Sequence, residues 1–371
     1  MDKYKQMIII ADDITGAAEI AGIAFCQGQE VRLTCSCQIS YDSIAANGIT
    51  VIATDTRSMS EAEAVAETRR ILPPLSSEGD GGRLLFKKTD SALRGHVVAE
   101  LTALMESTGC QRAVYLPANP SKGRIIRNGM YYINGVPIHK TAFSYDPEFP
   151  AKTSVMKERF PDAKHNGILM PDAESEEDIR NIIAKYDDGK TLFAGAADLF
   201  SVVMDHGDGS PDPSSQGDCD QENRPHDLLI LCGSTQSKPL HLGIPIAPMP
   251  REIYDGSDDL SLWDTSSYAE KHSLILTIPY THHTGKEVAV HLRTVMAEMT
   301  KQLVTMSCPH HLVIEGGATA WATLQALDWT EFAITAQLAP GVVQMSATNG
   351  TLVTLKPGSY AWATMLSSYK V

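Results

Sequence analysis

A five-residue apolar run, Met7-Ile8-Ile9-Ile10-Ala11, stops abruptly at Asp12-Asp13 and continues as Ile14-Thr15-Gly16-Ala17-Ala18-Glu19. The run is too short to span a membrane and reads as a buried strand, with both carboxylates where it meets a helix. Runs 49–53, 84–86 and 113–116 have the same character, and helix-like stretches 61–72 and 97–107 lie between them. Strands that alternate with helices build βαβ units and a mostly parallel sheet. Met130-Tyr131-Tyr132-Ile133, Asn134-Gly135 and Val136-Pro137-Ile138-His139 interrupt the pattern. They read as a hairpin, because Asn-Gly favours a tight two-residue turn.

Further strands are expected at 167–170, 191–194, 228–231, 274–278, 312–314 and 352–355, with a helix around 178–186. Val288, Leu292, Val295, Met296, Met299 and Leu303 follow the helical period, so 287–306 reads as an amphipathic helix. Between 205 and 227 the composition turns to Gly, Pro, Ser and Asp, which marks a linker or disordered insertion. The expectation is an α/β chain of two domains, 1–204 and 228–371. Each has a mostly parallel sheet flanked by helices, and the active site lies in the cleft between the domains.

The 371 residues are 43% hydrophobic and 20% charged, enough for sizeable cores. Asp and Glu outnumber Lys and Arg by 45 to 31, a formal net charge of −14. A general nucleic-acid binder needs a basic face, so nucleic acid is not an expected partner. Of seven cysteines only Cys35 and Cys37 are close in sequence, and no second pair completes a zinc framework. Reduced thiols in a cytoplasmic protein are expected. The polar start, Met1 to Gln6, is not read as a signal peptide, and no run approaches the roughly 18 apolar residues of a membrane span. A homo-oligomer is compatible with all of this.

Four chemically rich clusters follow predicted strands: Asp12-Asp13; Asp55-Thr56-Arg57-Ser58; Lys87-Lys88-Thr89-Asp90-Ser91-Ala92-Leu93-Arg94-Gly95-His96; and Pro117-Ala118-Asn119-Pro120-Ser121-Lys122-Gly123-Arg124. Parallel strands deliver their carboxyl ends to one edge, where ligands bind in open α/β sheets. Arg57, Arg94 or Arg124 can clamp a substrate carboxylate in a bidentate fork, and a lysine adds a point charge. Asp12 or Asp13 can accept a proton from a substrate hydroxyl. The bland alternatives are that an Asp merely caps the helix, or that the charges pair among themselves.

The C-terminal part places small residues after strands: Cys232-Gly233-Ser234-Thr235, Glu315-Gly316-Gly317-Ala318-Thr319-Ala320 and Lys356-Pro357-Gly358-Ser359. Such junctions let backbone N–H groups approach a phosphate. Neither a Walker A motif nor a GxGxxG fingerprint occurs. The pairs His282-His283 and His310-His311 are not read as metal ligands, because neighbours on a strand point to opposite faces. Ser91 and Ser234 sit in no Gly-x-Ser-x-Gly elbow.

Ala11-Asp12-Asp13-Ile14-Thr15-Gly16-Ala17 resembles the Ala-Asp-Asp-Phe-Thr-Gly-Ala signature of the four-carbon acid sugar kinase family. Residues 87–95 resemble that family's Lys-Lys-x-Asp-Ser-Thr-Leu-Arg-Gly block. Residues 117–124, the hairpin and Asp146-Pro147 are similar to its next block in order and spacing, and the C-terminal glycine clusters to its nucleotide-binding elements. The resemblance implies an ATP- and Mg²⁺-dependent kinase that phosphorylates the terminal hydroxyl of a threonate, erythronate or keto-tetronate. It implies substrate contacts at Asp12, Asp13, Arg57, Lys88, Asp90, Ser91 and Arg94, with Asp12, Asp13 and Lys88 catalytic. Nucleotide contacts are implied at Ser234, Gly316, Gly317, Ala318, Thr319 and Gly358. The chain departs from the family at Gln236, at Ala318, where the family carries a polar residue, and at Ser359-Tyr360-Ala361. These departures motivate a second reading, a catalytically degenerate member that binds a sugar acid or nucleotide as a sensor.

Overall fold

The computed structural model describes residues 6–35, 48–71, 84–146, 148–205, 227–233, 240, 242–283 and 285–358. Two compact units emerge, Met1–Val31 with Ser36–Pro211, and Arg32–Cys35 with Asp212–Val371. Most of the proposed linker, 206–226, lies outside the described residues, as do Ser234, Gln236 and residues 359–361.

The chain begins with β1 (Gln6–Ala11), α1 (Ile14–Cys26) and β2 (Val31–Thr34). It continues through β3 (Gly48–Ala53), α2 (Glu61–Ile71), β4 (Leu84–Lys88), α3 (Val97–Thr108) and β5 (Arg112–Leu116). A small antiparallel sheet follows: β6 (Arg124–Arg127), β7 (Met130–Ile133) and β8 (Val136–Pro137). Asn134 and Gly135 both have positive φ, 49° and 78°, as the tight turn of the expected hairpin requires. After α4 (Met156–Arg159) come β9 (Ile168–Leu169), α5 (Glu176–Tyr186), β10 (Thr191–Gly195) and α6 (Ala197–Asp205). The first unit's main sheet has the order β3-β1-β4-β10-β5-β9, and every pairing recorded in it is parallel.

The second unit holds β11 (Leu228–Cys232), β12 (Ile246–Pro248), α7 (Arg251–Tyr254), α8 (Ser266–Lys271) and β13 (Ser273–Thr277). They are followed by α9 (Lys286–Met306), β14 (His311–Glu315), α10 (Gly317–Ala326), β15 (Glu331–Ala339), β16 (Val342–Ala347) and β17 (Leu352–Lys356). Its order is β12-β13-β11-β14-β17-β16-β15-β2. The first five strands are parallel, and the last three add on antiparallel. The β15–β16 pair escapes the sequence reading although its signals are present. Phe332, Ile334 and Ala336 alternate with more exposed neighbours, and Gly341 turns the chain at φ 76°.

Burial explains why the central strands read so clearly. Ile8, Ile9 and Ile10 are all under 3% exposed, as are Leu229, Ile230 and Leu231. Each such side chain contributes roughly 1.5–3 kcal/mol when removed from water. Strands covered on both faces become continuous apolar runs. Asp13 caps α1 by accepting the Gly16 N–H at 3.0 Å. In α9, Leu292, Val295, Met296, Met299 and Leu303 are buried, the face expected from the period.

His311 shows strand alternation at work. His310 is exposed, whereas His311 is buried with Nε2 2.8 Å from the Thr354 hydroxyl. Burial, aided by neighbouring His310, pushes its pKa from 6.5 down to about 4. Below pH 6.5 the unfolded chain therefore takes up a proton that native His311 refuses, and stability falls with pH. The expected loss is about 2 kcal/mol between pH 7.5 and 5.0. Urea unfolding at both pH values should show this loss in the wild type and lose it in His311→Asn. Equal pH dependence in the two proteins would refute the assignment.

Candidate functional site

In the first unit the register levels the strand ends. Ala11 pairs with Ala53 and Lys88, Lys88 with Gly195, and Gly195 with Leu116. The clusters that follow β1, β3, β4 and β5 thus leave one edge of one sheet, the edge where open α/β sheets bind ligands.

Arg57 stands at the centre of this edge. Its Nε donates to Asp12 Oδ2 at 3.2 Å, and its Nη2 donates to Asp12 Oδ1 and Asp13 Oδ1, both at 2.9 Å. Its Nη1 lies 3.8 Å from Asp90 Oδ1. Arg94 forks onto Asp90 through Nε and Nη2 at 2.9 and 3.0 Å, and its Nη1 lies 3.8 Å from Asp146. Asp90 also accepts the backbone N–H groups of Ala92 and Arg94. Arg124 Nη1 donates to the Ser91 hydroxyl. The two bland sequence readings therefore both hold in part: Asp13 is a helix cap, and the charges pair among themselves.

This network sets the carboxylates apart. Burial pushes the Asp12 pKa up, and neighbouring Arg57 only partly offsets it. Asp13 feels the same burial, but Arg57, Lys88 and the Thr15 hydroxyl outweigh it and hold its pKa below the usual value. Burial of Asp90 is overcome by Arg57 and Arg94, which hold it well below the carboxylate range. Asp12 is 1% exposed, whereas the Asp13 side chain reaches solvent at 16%. Asp13 receives three donors, from Gly16, Thr15 and Arg57, at 3.0, 2.5 and 2.9 Å. A carboxylate has about four acceptor sites, so one remains for a hydroxyl.

Strand β4 runs two residues further than its apolar pattern suggests, and alternation separates its lysines. Lys87 forms a buried ion pair with Glu100 of α3 at 2.5 Å, and Glu100 also accepts the Thr56 hydroxyl at 2.8 Å. Lys88 turns toward α1. Its Nζ lies 3.5 Å from Glu19 and donates to the Thr89 carbonyl at 3.1 Å. Lys122 also pairs with Glu19. A Cβ on Gly16 would lie 2.5 Å from Asp13 Oδ1 and 3.0 Å from Lys88 Nζ, so glycine is what lets both charges close over the helix start.

Glu19, Lys122 and Tyr131 were not singled out as site residues by sequence. The Tyr131 hydroxyl donates to the Ser91 carbonyl at 2.5 Å and lies 3.1 Å from the Pro117 carbonyl, joining two of the clusters. Its only sequence signal is a tyrosine in the hairpin. Beside the edge lies a pocket of about 420 Å³ whose lining includes Gly95, His96, Phe149, Lys152 and Arg159. Asp12, Asp13, Arg57 and Asp90 are not among its lining residues.

The second unit repeats the levelled edge. Cys232 pairs with Thr277 and Glu315, and Glu315 with Lys356. Gly316, at φ 99°, opens α10, so the first backbone N–H groups of that ten-residue helix face outward from the sheet edge. Ala318 is exposed there, while Thr319 is buried. A Cβ on Gly233 would fall 2.0 Å from Thr319 Oγ1, so the Thr319 side chain packs under the end of β11. Behind the edge, Lys356 and Glu315 form a buried pair at 2.5 Å. Gly358 lies in the turn just after β17.

Residues 7–160 match the family model of a sugar-binding N-terminal domain, and residues 261–360 that of a nucleotide-binding C-terminal domain. A D-threonate kinase of Salmonella typhimurium is 34% identical over 155 residues, 41% of this chain and 36% of that protein. A 3-oxo-tetronate kinase of Brucella melitensis is 33% identical over 150 residues, 39% of this chain and 34% of that protein. A D-erythronate kinase of Heliobacterium modesticaldum is 30% identical over 158 residues, 40% of this chain and 34% of that protein. The chain spans about a third of the length of these curated relatives. Crystal structures of a Salmonella typhimurium LT2 protein and a Haemophilus influenzae protein have the same fold, with TM-scores of 0.74 and 0.67. Each covers 98% of both chains, at 16% and 18% identity. The fold is that of an α/β protein, with one segment that matches a sugar-binding domain and another that matches a nucleotide-binding domain. In these matched segments the chain is similar to curated kinases of four-carbon sugar acids. Among the described residues, no helix is long and apolar enough to cross a membrane.

Proposed function

We propose that this protein is an ATP-dependent kinase for a four-carbon sugar acid of the threonate, erythronate or 3-oxo-tetronate class, acting on its terminal hydroxyl. The observation that carries the reading is the single sheet edge where Asp13 keeps one acceptor site beside Arg57, Asp90 and Arg94. That edge falls inside the segment matched by the sugar-binding domain, and the relatives' names supply the substrate class.

Phosphoryl transfer asks mainly for positioning and neutralisation of charge. Asp13 would accept the reacting hydroxyl, with Arg57 fixing its orientation. Asp12 is too deeply buried to meet substrate and would hold Arg57 in place. Because Arg57 is already engaged by two carboxylates, the substrate carboxylate is better matched to Arg94, whose side chain is 33% exposed against 16% for Arg57, and to Arg124, which meets the Ser91 hydroxyl and no carboxylate in this network. Lys88 would add positive potential near Asp13.

The opening of α10 suits the phosphates of ATP. Gly316 exposes the helix start, and Gly233 leaves room for the first turn to sit against β11. Mg²⁺, when bound with ATP, would neutralise phosphate charge. The setting proposed for this chemistry is the cytoplasm.

Incubation with Mg-ATP and a panel of four-carbon sugar acids, with ADP release as readout, tests the proposal. ADP release dependent on one acid is expected. Acid binding by calorimetry without ADP release would overturn it in favour of a sensor, the reading that exposed Ala318 favours by offering no polar side chain at the helix start.

A further inference from the structure

Outside both sheet edges, one cluster in the second unit brings metal-binding side chains together. The short helix α7 ends at Asp255, its C-cap residue. After β13 the chain passes through His282 and His283 before Gly285, at φ 118°, starts α9. This stretch is not a strand, so the alternation argument against adjacent histidines does not apply to it. Both rings turn to the same carboxylate oxygen. His282 Nε2 lies 3.4 Å and His283 Nε2 2.9 Å from Asp255 Oδ1.

We propose that Asp255, His282 and His283 form a binding site for a transition-metal dication of the zinc class, tying the end of α7 to the loop that enters α9. The distances suit such an ion. Zinc bonds of about 2.0–2.2 Å in tetrahedral geometry put ligand atoms about 3.3–3.5 Å apart. The three ligand atoms here lie within 4.8 Å of one another, so small side-chain rotations close the site. All three residues are exposed, which leaves an entry path and a fourth position for water or another ligand.

The surroundings hold the ligands in place. The Tyr254 hydroxyl accepts the His283 backbone N–H at 2.9 Å, and its ring, 2% exposed, stacks on the His283 ring with 19° between planes. His282 rests against the same tyrosine at 4.7 Å between centroids. Arg251 Nε binds the other carboxylate oxygen of Asp255 at 3.2 Å, leaving Oδ1 to the histidines. Outer contacts that orient ligands in this way are a regular part of metal sites. Two imidazoles and one carboxylate favour Zn²⁺, Co²⁺ or Ni²⁺ over Mg²⁺, which prefers oxygen donors, so this ion is distinct from the Mg²⁺ that accompanies ATP.

The test uses the full chain, stripped with chelator and desalted, then titrated with ZnCl₂ by calorimetry and with Co²⁺ by visible absorption. One Zn²⁺ per chain is expected at this site, with tetrahedral Co²⁺ bands that Zn²⁺ abolishes and millimolar Mg²⁺ does not. His282→Ala and Asp255→Asn should each weaken Zn²⁺ binding on the order of 10²-fold, since each removes one of three ligands. These exposed positions should leave the fold intact, and an unchanged circular dichroism spectrum checks this. If either variant misfolds, the conservative His282→Gln takes its place. Absence of Zn²⁺ binding by the wild type, equal binding by the variants, or displacement by Mg²⁺ would overturn the proposal. In that case the cluster is only a surface histidine–carboxylate contact.

Discussion

Asp13→Asn is expected to lower the kcat of sugar-acid phosphorylation on the order of 10²-fold or more while the protein stays folded. The substitution keeps the side-chain oxygen that accepts the Gly16 N–H, and asparagine caps helices about as well as aspartate. It removes the negative charge that would receive the hydroxyl proton and that Arg57 and Thr15 now organise. General-base contributions of this kind amount to about 10²–10⁴-fold. Steady-state kinetics with the acid identified by the panel, beside a thermal melt, measures both halves. A kcat within threefold of wild type, in a protein that melts normally, would take the acceptor role away from Asp13. A collapsed melt would show the carboxylate to be chiefly structural.

The second large effect concerns stability. Lys87→Met should destabilise the protein by about 3–5 kcal/mol, because it leaves the Glu100 carboxylate buried at 1% exposure with the Thr56 hydroxyl as its remaining hydrogen bond in the network. Buried pairs are costly to break but are seldom worth much against an uncharged replacement. Lys87→Met combined with Glu100→Gln should therefore recover most of the loss, since glutamine still accepts the Thr56 hydroxyl. Urea midpoints of the three proteins decide the matter. A loss below about 1 kcal/mol in the single variant would mean that Glu100 finds water or another partner.

Lys87 and Lys88 also show where sequence reading stops. As a motif, both lysines belong to a charged cluster after a strand. In the folded chain both lie within β4, one residue apart, and the pleat sends them to different helices. Glu100 of α3 and Glu19 of α1 receive them. Nothing in the spacing of residues 87–95 carries that information, because the partners stand 13 and 69 positions away along the chain. Arg57 teaches the same lesson. Its residue type suggests a clamp for the substrate's carboxylate, yet two aspartates of the protein already fill its fork. The histidines at 282 and 283 reverse it. Assumed to follow strand alternation, they instead lie in a bend where both rings meet Asp255.

Legible in the sequence were the parallel strands with their apolar cores, the helical face of α9, the Asn134-Gly135 turn and the chemical clusters at the strand ends, although Lys87 and Lys88 belong to β4 itself. These depend on periodicity and local turn chemistry, which are written over a few adjacent residues. Tertiary structure alone decided which charges meet. It joined Arg32–Cys35 to the second unit through β2, whose Leu33 pairs with Phe332 of β15. It levelled the strand ends and split the pKa values of Asp12 and Asp13. Such outcomes rest on burial and on contacts between distant segments, and both arise only once the chain has folded.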